Sequence, residues 1–361
     1  MMTFLPKLEF KFKHIRLNHY NLEKGVLFSL SRHVISSIIA ENDWSENHQI
    51  LMPGSLCEEA FKPFLRAGLT IGCYGLNKSL SSDLTSIHNN IQFNTVAIYM
   101  VHYFGRKDPN IDVIRNLCDK LGIFLIEDCA LCSPDDVYSG IGSYGDYSFF
   151  SLWKYLPVPD GSIAYSRGRA RALQAPSQRA DFSRVTKRLI SLLVPGNLGK
   201  KLRTKIRQVP SVQSTHNYLE FIKNESSPQS ISFLSRLIIR FVDFDSVSNL
   251  RRDHYRFLAK NLENHPSIQT LWCELDPDVI PYCLPLITRK PTHLQEFLLQ
   301  RGIESELSVN DYYPWAGKVE GDIQEMGCIK QLARSVLSIP VHQALSEKEI
   351  IKISSSLTAY E

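Results

Sequence analysis

Long apolar runs are missing from this 361-residue chain: no window approaches eighteen uninterrupted apolar residues. The first twenty residues carry charges throughout and lack an apolar stretch before a small-residue cleavage site. A membrane-spanning helix and a secretory leader are therefore not expected, and the chain reads as cytoplasmic. Also missing are G-x-G-x-x-G after a strand-like run, G-x-x-x-x-G-K-[ST] and G-x-S-x-G, which leaves nucleotide-cofactor and serine-hydrolase readings without support. No internal repeat or low-complexity tract occurs. Eight cysteines, mostly inside apolar runs, suit reduced buried thiols rather than a disulfide framework. Cys129 and Cys132 spell C-x-x-C, but no second C-x-x-C or H-x-x-x-H accompanies them, so no metal is expected. What remains, at 43% hydrophobic and 22% charged residues, is a globular protein large enough for two domains.

Acids are scarce in one place. Residues 167–207 hold twelve Lys or Arg against the single acid Asp181, so this segment is basic and the rest of the chain is net acidic. Its apolar residues (Val185, Leu189, Leu192, Leu193, then Leu198, Leu202, Ile206) recur at helical spacing and predict two short basic amphipathic helices broken at Pro195-Gly196. Such a segment is either a solvated helix face or a docking surface for something acidic: a nucleotide diphosphate, an acyl carrier protein or a membrane surface. Nucleic acid is not expected, because the regular interleaving of aromatics with basic residues that base stacking uses is absent.

From about residue 30 to 165, short apolar runs alternate with amphipathic stretches, the pattern of a parallel α/β sheet. The runs are residues 49–52, 69–74, 96–101 and 123–126, the last two ending at His102 and at Glu127-Asp128. Ile111, Ile114, Leu117, Cys118 and Leu121 mark one helix face that stops at Gly122. Functional groups in such sheets collect at the carboxyl ends of the strands, which singles out His102 and Asp128. Near residue 246 the pattern changes to a long helix with Leu250, Tyr255, Phe257 and Leu258, a strand over Val279 to Thr288, a helix over His293 to Arg301 and a final helix after Ser346. This predicts a large domain over 1–245 and a smaller α+β domain over 246–361.

An acid at a strand end is common, and so is a lone lysine. Here Ile126-Glu127-Asp128 is followed by Gly140-Ile141-Gly142-Ser143-Tyr144-Gly145-Asp146 and then by Phe150-Ser151-Leu152-Trp153-Lys154, with Pro157-Val158-Pro159-Asp160-Gly161 beyond. Together these resemble the pyridoxal-phosphate region of the DegT/StrS family of aminotransferases, in the branch that reads S-L-x-K-x-L-P-V-P-D-G. Val101-His102-Tyr103-Phe104-Gly105 is similar to the family's "vH.fG" loop, and Leu51 through Cys57 to its "lLPaylC" strand and turn. Leu250 through Tyr255 is similar to its "RR.nY" helix, and Leu332 through Gln343 to "La..vlsLPvhq". The match is collinear over roughly residues 25–361.

The resemblance implies an α/β fold of the aspartate-aminotransferase type and a cofactor, pyridoxal 5′-phosphate. Lys154 would be the Schiff-base lysine and proton carrier, and Asp128 the partner of the pyridine nitrogen. It implies phosphate contacts from Ser151, with Ser148 as an alternative, and from Ser31 and Arg32 at the start of the first helix. It also counts His102 and Cys57 as residues beside the cofactor. The implied function is transfer of an amino group, from glutamate or another common amino acid, to a nucleotide-linked keto-sugar, by a homodimer. Two departures stand out. Leu131 occupies the place of the Gln or His that usually reaches the cofactor's phenolic oxygen, and the "G.NyRm" segment is absent, with Asn217 and Tyr218 out of pattern and residues 231–236 in its place. The helix-opening turn Leu30-Ser31 also lacks the usual glycine. These departures keep open other chemistry on the same cofactor (decarboxylation, elimination or condensation on an amino-acid or carrier-bound substrate), and a homologue without catalysis that acts as a partner protein. Tyr312, Tyr313 and Trp315 are assigned no role.

Overall fold

The computed structural model describes residues 2–3, 24–134, 140–193, 227–272, 274–277, 279–307, 319–320 and 335–361. The four apolar runs are strands: β2 (Gln49–Pro53), β3 (Thr70–Tyr74), β4 (Thr95–Val101) and β5 (Phe124–Cys129). With β1 (Val26–Phe28), β6 (Tyr147–Ser151), β7 (Ser162–Ser166) and β11 (Val319–Glu320) they form an eight-stranded sheet in the order β1-β7-β6-β5-β4-β2-β3-β11. Pairing within it is parallel except where β7 meets β6 and β1. Strands β2 and β4 are buried on both faces and read as continuous apolar runs for that reason. Helices α1 (Ser31–Glu41), α2 (Glu58–Arg66), α3 (Leu84–Asn90) and α4 (Ile111–Leu121) connect the strands of this sheet. Gly122 ends α4 in the left-handed conformation at φ +71°, as its position after the apolar face predicts.

The carboxyl end of β6 runs into α5 (Leu152–Tyr155), and the first of the two expected basic helices is α6 (Phe182–Leu193). The second expected basic helix, over 198–206, lies outside the described residues. Beyond it come α7 (Phe233–Ile239) and α8 (Phe244–Lys260). Then β8 (Ile268–Thr270), β9 (Cys283–Thr288), β10 (Glu306–Leu307) and β12 (Val336–Pro340) make an antiparallel sheet in the order β10-β12-β9-β8, flanked by α9 (Pro291–Gln300) and α10 (Glu347–Thr358). This unit has its own apolar core around Tyr255, Leu258, Leu284, Leu337 and Ile353, into which Met2 also packs. The C-terminal segment gives β11 back to the edge of the large sheet, so the chain crosses between the two units more than once.

Three local expectations shift. On α8 the buried stripe is Phe244, Val247, Arg251, Tyr255 and Leu258, whereas Leu250 (38% exposed) and Phe257 (43%) face outward. The strand expected from Val279 starts only at Cys283, because the residues before it serve the large domain: Tyr282 N–H donates to the Phe104 carbonyl at 3.0 Å, and the Ile280 carbonyl accepts from the Tyr155 hydroxyl at 3.1 Å. The helix expected from His293 opens two residues earlier, with Pro291 in its first turn, where its missing N–H costs nothing.

The two units are joined by a buried arginine. Arg251 Nε donates to Gln343 Oε1 (3.0 Å), and its Nη1 donates to the carbonyls of Pro281 (3.1 Å) and Tyr282 (3.2 Å). The guanidinium lies 4.4 Å from the centroid of the Tyr155 ring, a cation–π contact beside α5. Gln343 in turn donates to the Tyr155 carbonyl at 2.9 Å.

A buried histidine on α1 makes the fold acid-sensitive. His33 is 1% exposed, and its Nδ1 accepts the Gln229 N–H at 3.3 Å. Burial, aided by the cations of Arg32 and Arg184, lowers its pKa from 6.5 to about 3. Between those values the unfolded chain binds a proton that the folded chain refuses, so stability falls as pH drops through 6.5 toward 3. Denaturant unfolding at pH 4 should show a loss of about 3 kcal/mol relative to pH 7 from this group. His33→Asn, which keeps an acceptor and does not titrate, should flatten that slope.

Candidate active site

The carboxyl ends of β2, β4, β5 and β6 and the start of α1 converge on one cavity of about 390 Å³. Its walls include Ser31, Arg32, Cys57, Asp128, Ser151 and Lys154, six of the eight residues the sequence singled out. Lys154 sits in the single turn of α5, its Nζ 6.0 Å from the centroid of the Tyr282 ring. Trp153, Leu131 and Tyr282 complete the apolar part of the lining, and Glu306 and Leu307 of β10 reach it from the small unit.

Asp128 is the penultimate residue of the buried strand β5. Its Oδ1 accepts the Ala130 N–H at 2.8 Å, and its Oδ2 accepts the Tyr99 hydroxyl at 2.5 Å. Burial pushes its carboxyl above the ordinary value, while the Tyr99 hydrogen bond, the Lys154 cation and the Ala130 amide pull the other way. Cys57, an exposed residue, lines the cavity as well.

At another wall, α1 is preceded by Leu30, which contributes no capping side chain. The start of an eleven-residue helix thus lies at the cavity with Ser31 and Arg32, an arrangement that favours an anion. Ser162 Oγ donates to the Phe150 carbonyl (2.9 Å), which leaves Ser31 Oγ to donate to Ser162 at 3.1 Å. Arg32 pairs with Glu59, which also pairs with Lys62. Burial alone would raise the Glu59 carboxyl, but the two cations hold it below its ordinary value. Ser151 lines the cavity at the N-terminus of α5 without capping that turn, so its hydroxyl is not committed there.

Two expected residues are not brought to the cavity. His102 is fully buried behind β5: its Nδ1 accepts the Asp108 N–H (3.1 Å), which fixes its proton on Nε2, facing Glu127 Oε2 at 2.8 Å. Glu127 also takes the N–H groups of Gly142 and Gly145, so the loop before β6 hangs on this one carboxylate. His102, Glu127 and Cys129 offer donor atoms within 4.8 Å of one another, but the His and Glu lone pairs that a metal would need are already engaged in these bonds. Ser148 is likewise fully buried and accepts from Arg167 Nη1 at 2.8 Å.

Sequence reasoning passed over Asp160. Fully buried after Lys154, it accepts from Ser29 Oγ (2.8 Å), Ser232 N (3.0 Å), Ser232 Oγ (2.6 Å) and Ser235 Oγ (2.5 Å), tying the loop that follows α5 to the approach of α1 and to α7. Gly161 follows at φ +139°, where a Cβ would meet Ile231 Cδ1 at 2.9 Å, so only glycine fits. The signal was Asp-Gly after two prolines, a turn in which the aspartate commonly accepts from local donors. Tyr99 was passed over too, although a lone tyrosine in an aliphatic buried strand calls for a partner for its hydroxyl.

Residues 75–159, which contain Asp128, Ser151 and Lys154, match the DegT/DnrJ/EryC1/StrS aminotransferase family. Over 85 residues the chain is 33% identical to the GDP-perosamine synthase of Vibrio cholerae, a segment that spans 23% of this chain and 23% of that relative. Among solved structures, an aminotransferase from Streptoalloteichus hindustanus superposes with a TM-score of 0.69 at 17% identity, covering 93% of this chain and 85% of its own. A sugar aminotransferase from Micromonospora echinospora gives 0.63 at 15% identity, covering 94% and 88%. These likenesses establish the fold, that of the type I pyridoxal-phosphate enzymes.

Proposed function

We propose that this chain, which over residues 75–159 belongs to the DegT/DnrJ/EryC1/StrS aminotransferase family, is a cytoplasmic, pyridoxal-phosphate-dependent aminotransferase that moves an amino group from glutamate to a nucleotide-linked keto-sugar. The observation that carries the reading is the convergence of Lys154, Asp128 and the uncapped start of α1 on one cavity. This set fits the cofactor's chemistry: a buried carboxylate for a ring nitrogen, a primary amine for an aldehyde, and helix N–H groups with Ser31, Arg32 and Ser151 for a phosphate.

Bound there, the cofactor would supply an electron sink for the substrate's Cα–H bond. The chain's own residues do the rest. Lys154 would hold the cofactor through its primary amine and, as a free amine, would carry the proton away from the substrate's Cα. Asp128 would sit beside the ring nitrogen and keep it protonated. Trp153, Leu131 and Tyr282 cover the cavity with apolar surface and keep water from the reacting carbon. Leu131 offers no side-chain donor, while its carbonyl accepts from the Tyr155 hydroxyl at 2.8 Å.

An acidic acceptor is supported by the described part of the basic segment, which reaches the cavity rim: Arg188 of α6 stacks on Trp153, 4.5 Å from its ring. A homodimer belongs to the reading as well, supported by the exposed Phe182 (82%) and Phe233 (80%) on α6 and α7. The test is an absorbance spectrum of the purified chain with pyridoxal phosphate before and after excess glutamate. A visible band that converts to the amine form of the cofactor is expected. A band that ignores glutamate would move the reading to another donor or to non-transaminase chemistry, and no band would sink it.

A further inference from the structure

We propose that Tyr99 is a positioning residue for Asp128, its phenol holding the carboxylate anionic and aimed so that Asp128 can keep a pyridine nitrogen protonated. This rests on the cofactor reading above and deepens it. Parallel pairing sets Tyr99 opposite Ile126 and Val101 opposite Asp128, so Tyr99 lies on the same face of the sheet as Asp128, two residues behind it. Its ring meets Phe64 edge-on (5.9 Å between centroids) and Phe149 at a tilt (6.3 Å). Its own carbonyl accepts from the Tyr74 hydroxyl at 3.1 Å, and its hydroxyl ends 2.5 Å from Asp128 Oδ2. Nothing in that packing lets the phenol swing elsewhere.

A carboxyl as buried as Asp128 drifts toward its neutral form, and a neutral acid cannot hold a cationic ring. Of the groups that oppose this drift, Tyr99 comes first, ahead of Lys154. Lys154 must give up its ammonium charge to take an aldehyde, and the His102 ring points away, its nitrogens engaged by Glu127 and the Asp108 N–H. In the loaded site the Tyr99 hydroxyl and the Ala130 N–H are then what remain to stabilise the anion. Burial and the facing carboxylate raise the phenol well above its ordinary pKa, so Tyr99 keeps its proton and stays the donor.

The test uses the apo chain and two ligands: pyridoxal phosphate and its analogue with carbon in place of the ring nitrogen. Wild type should prefer the nitrogen ligand, and Tyr99→Phe should cut that preference by about tenfold. The ¹⁵N shift of the bound ring nitrogen should move toward its unprotonated position. Tyr99→Phe on an Asp128→Asn background should change the preference no further. Should the Phe variant not fold, Tyr99→Met, a smaller and flexible apolar side chain without a hydroxyl, carries the same expectation. Weakened binding of both ligands by one factor, with an unmoved ¹⁵N shift, would mean that Tyr99 only packs, and would overturn the proposal. A wild-type chain that binds neither ligand overturns the cofactor reading itself, an outcome distinct from an unchanged preference.

Discussion

Replacing Lys154 with alanine should leave a folded chain that binds pyridoxal phosphate without visible absorbance from a covalently held cofactor, and whose turnover falls by about 10²–10⁴-fold. The fold should tolerate the change because the amine stands at the cavity wall, 6.0 Å from the Tyr282 ring, and its neighbours Trp153 and Tyr155 do the packing of α5. The loss should be chemical rather than structural. A primary amine at this point both captures the aldehyde and carries the proton, and no other lysine lines the cavity among the described residues. A small free amine should therefore restore part of the proton transfer to the alanine chain, and Lys154→Arg, whose guanidinium does not give up its proton, should not. Retention of the visible band in Lys154→Ala would place the aldehyde on another amine and remove the basis for the reading.

The second large effect lies away from the cavity wall. Asp160→Ala should lower the denaturation midpoint of the apo chain by an amount equivalent to about 3 kcal/mol, because it strands the Ser232 N–H and three serine hydroxyls that converge on a fully buried carboxylate. Hydroxyls can turn to other acceptors and the backbone N–H cannot, so Asp160→Asn, which keeps one acceptor oxygen, should lose less than half as much. Pyridoxal-phosphate affinity should fall with it, since the same carboxylate fixes the loop that follows Lys154. An alanine variant of wild-type stability would show that the serines satisfy one another without the anion.

Much of this was legible in one dimension. The strand runs at 49–52, 69–74, 96–101 and 123–126 became β2 to β5 within a residue or a few, because burial on both faces imposes continuous apolar stretches. The stop of α4 at Gly122 was fixed by the one residue type that adopts φ +71° without strain. The order of Asp128, the glycine-rich loop and Lys154 was enough to say where an acid and an amine would meet. What such a reading cannot carry is direction. His102 ends a parallel strand just as Asp128 does, yet its ring turns behind the sheet to Glu127, while Asp128 opens to the cavity. Ser148 and Ser151 differ by three residues in one strand, an odd number that sends them to opposite faces: one to Arg167, the other to the cavity.

By itself, the sequence determined the class of fold, the extent of the parallel sheet and the pair of side chains on which the chemistry is proposed to rest, since these depend on local periodicity and on residue types that few other roles require. Tertiary structure alone decided which polar groups share a buried partner. Tyr99 reaches Asp128 on the neighbouring strand, Asp160 gathers serines some 70 and 130 positions away, and Arg251 crosses from the small unit to the ring beside Lys154. Such contacts leave little trace in spacing, because a buried polar group must be satisfied by whatever the fold brings within reach, and that choice is made only when the chain has closed on itself.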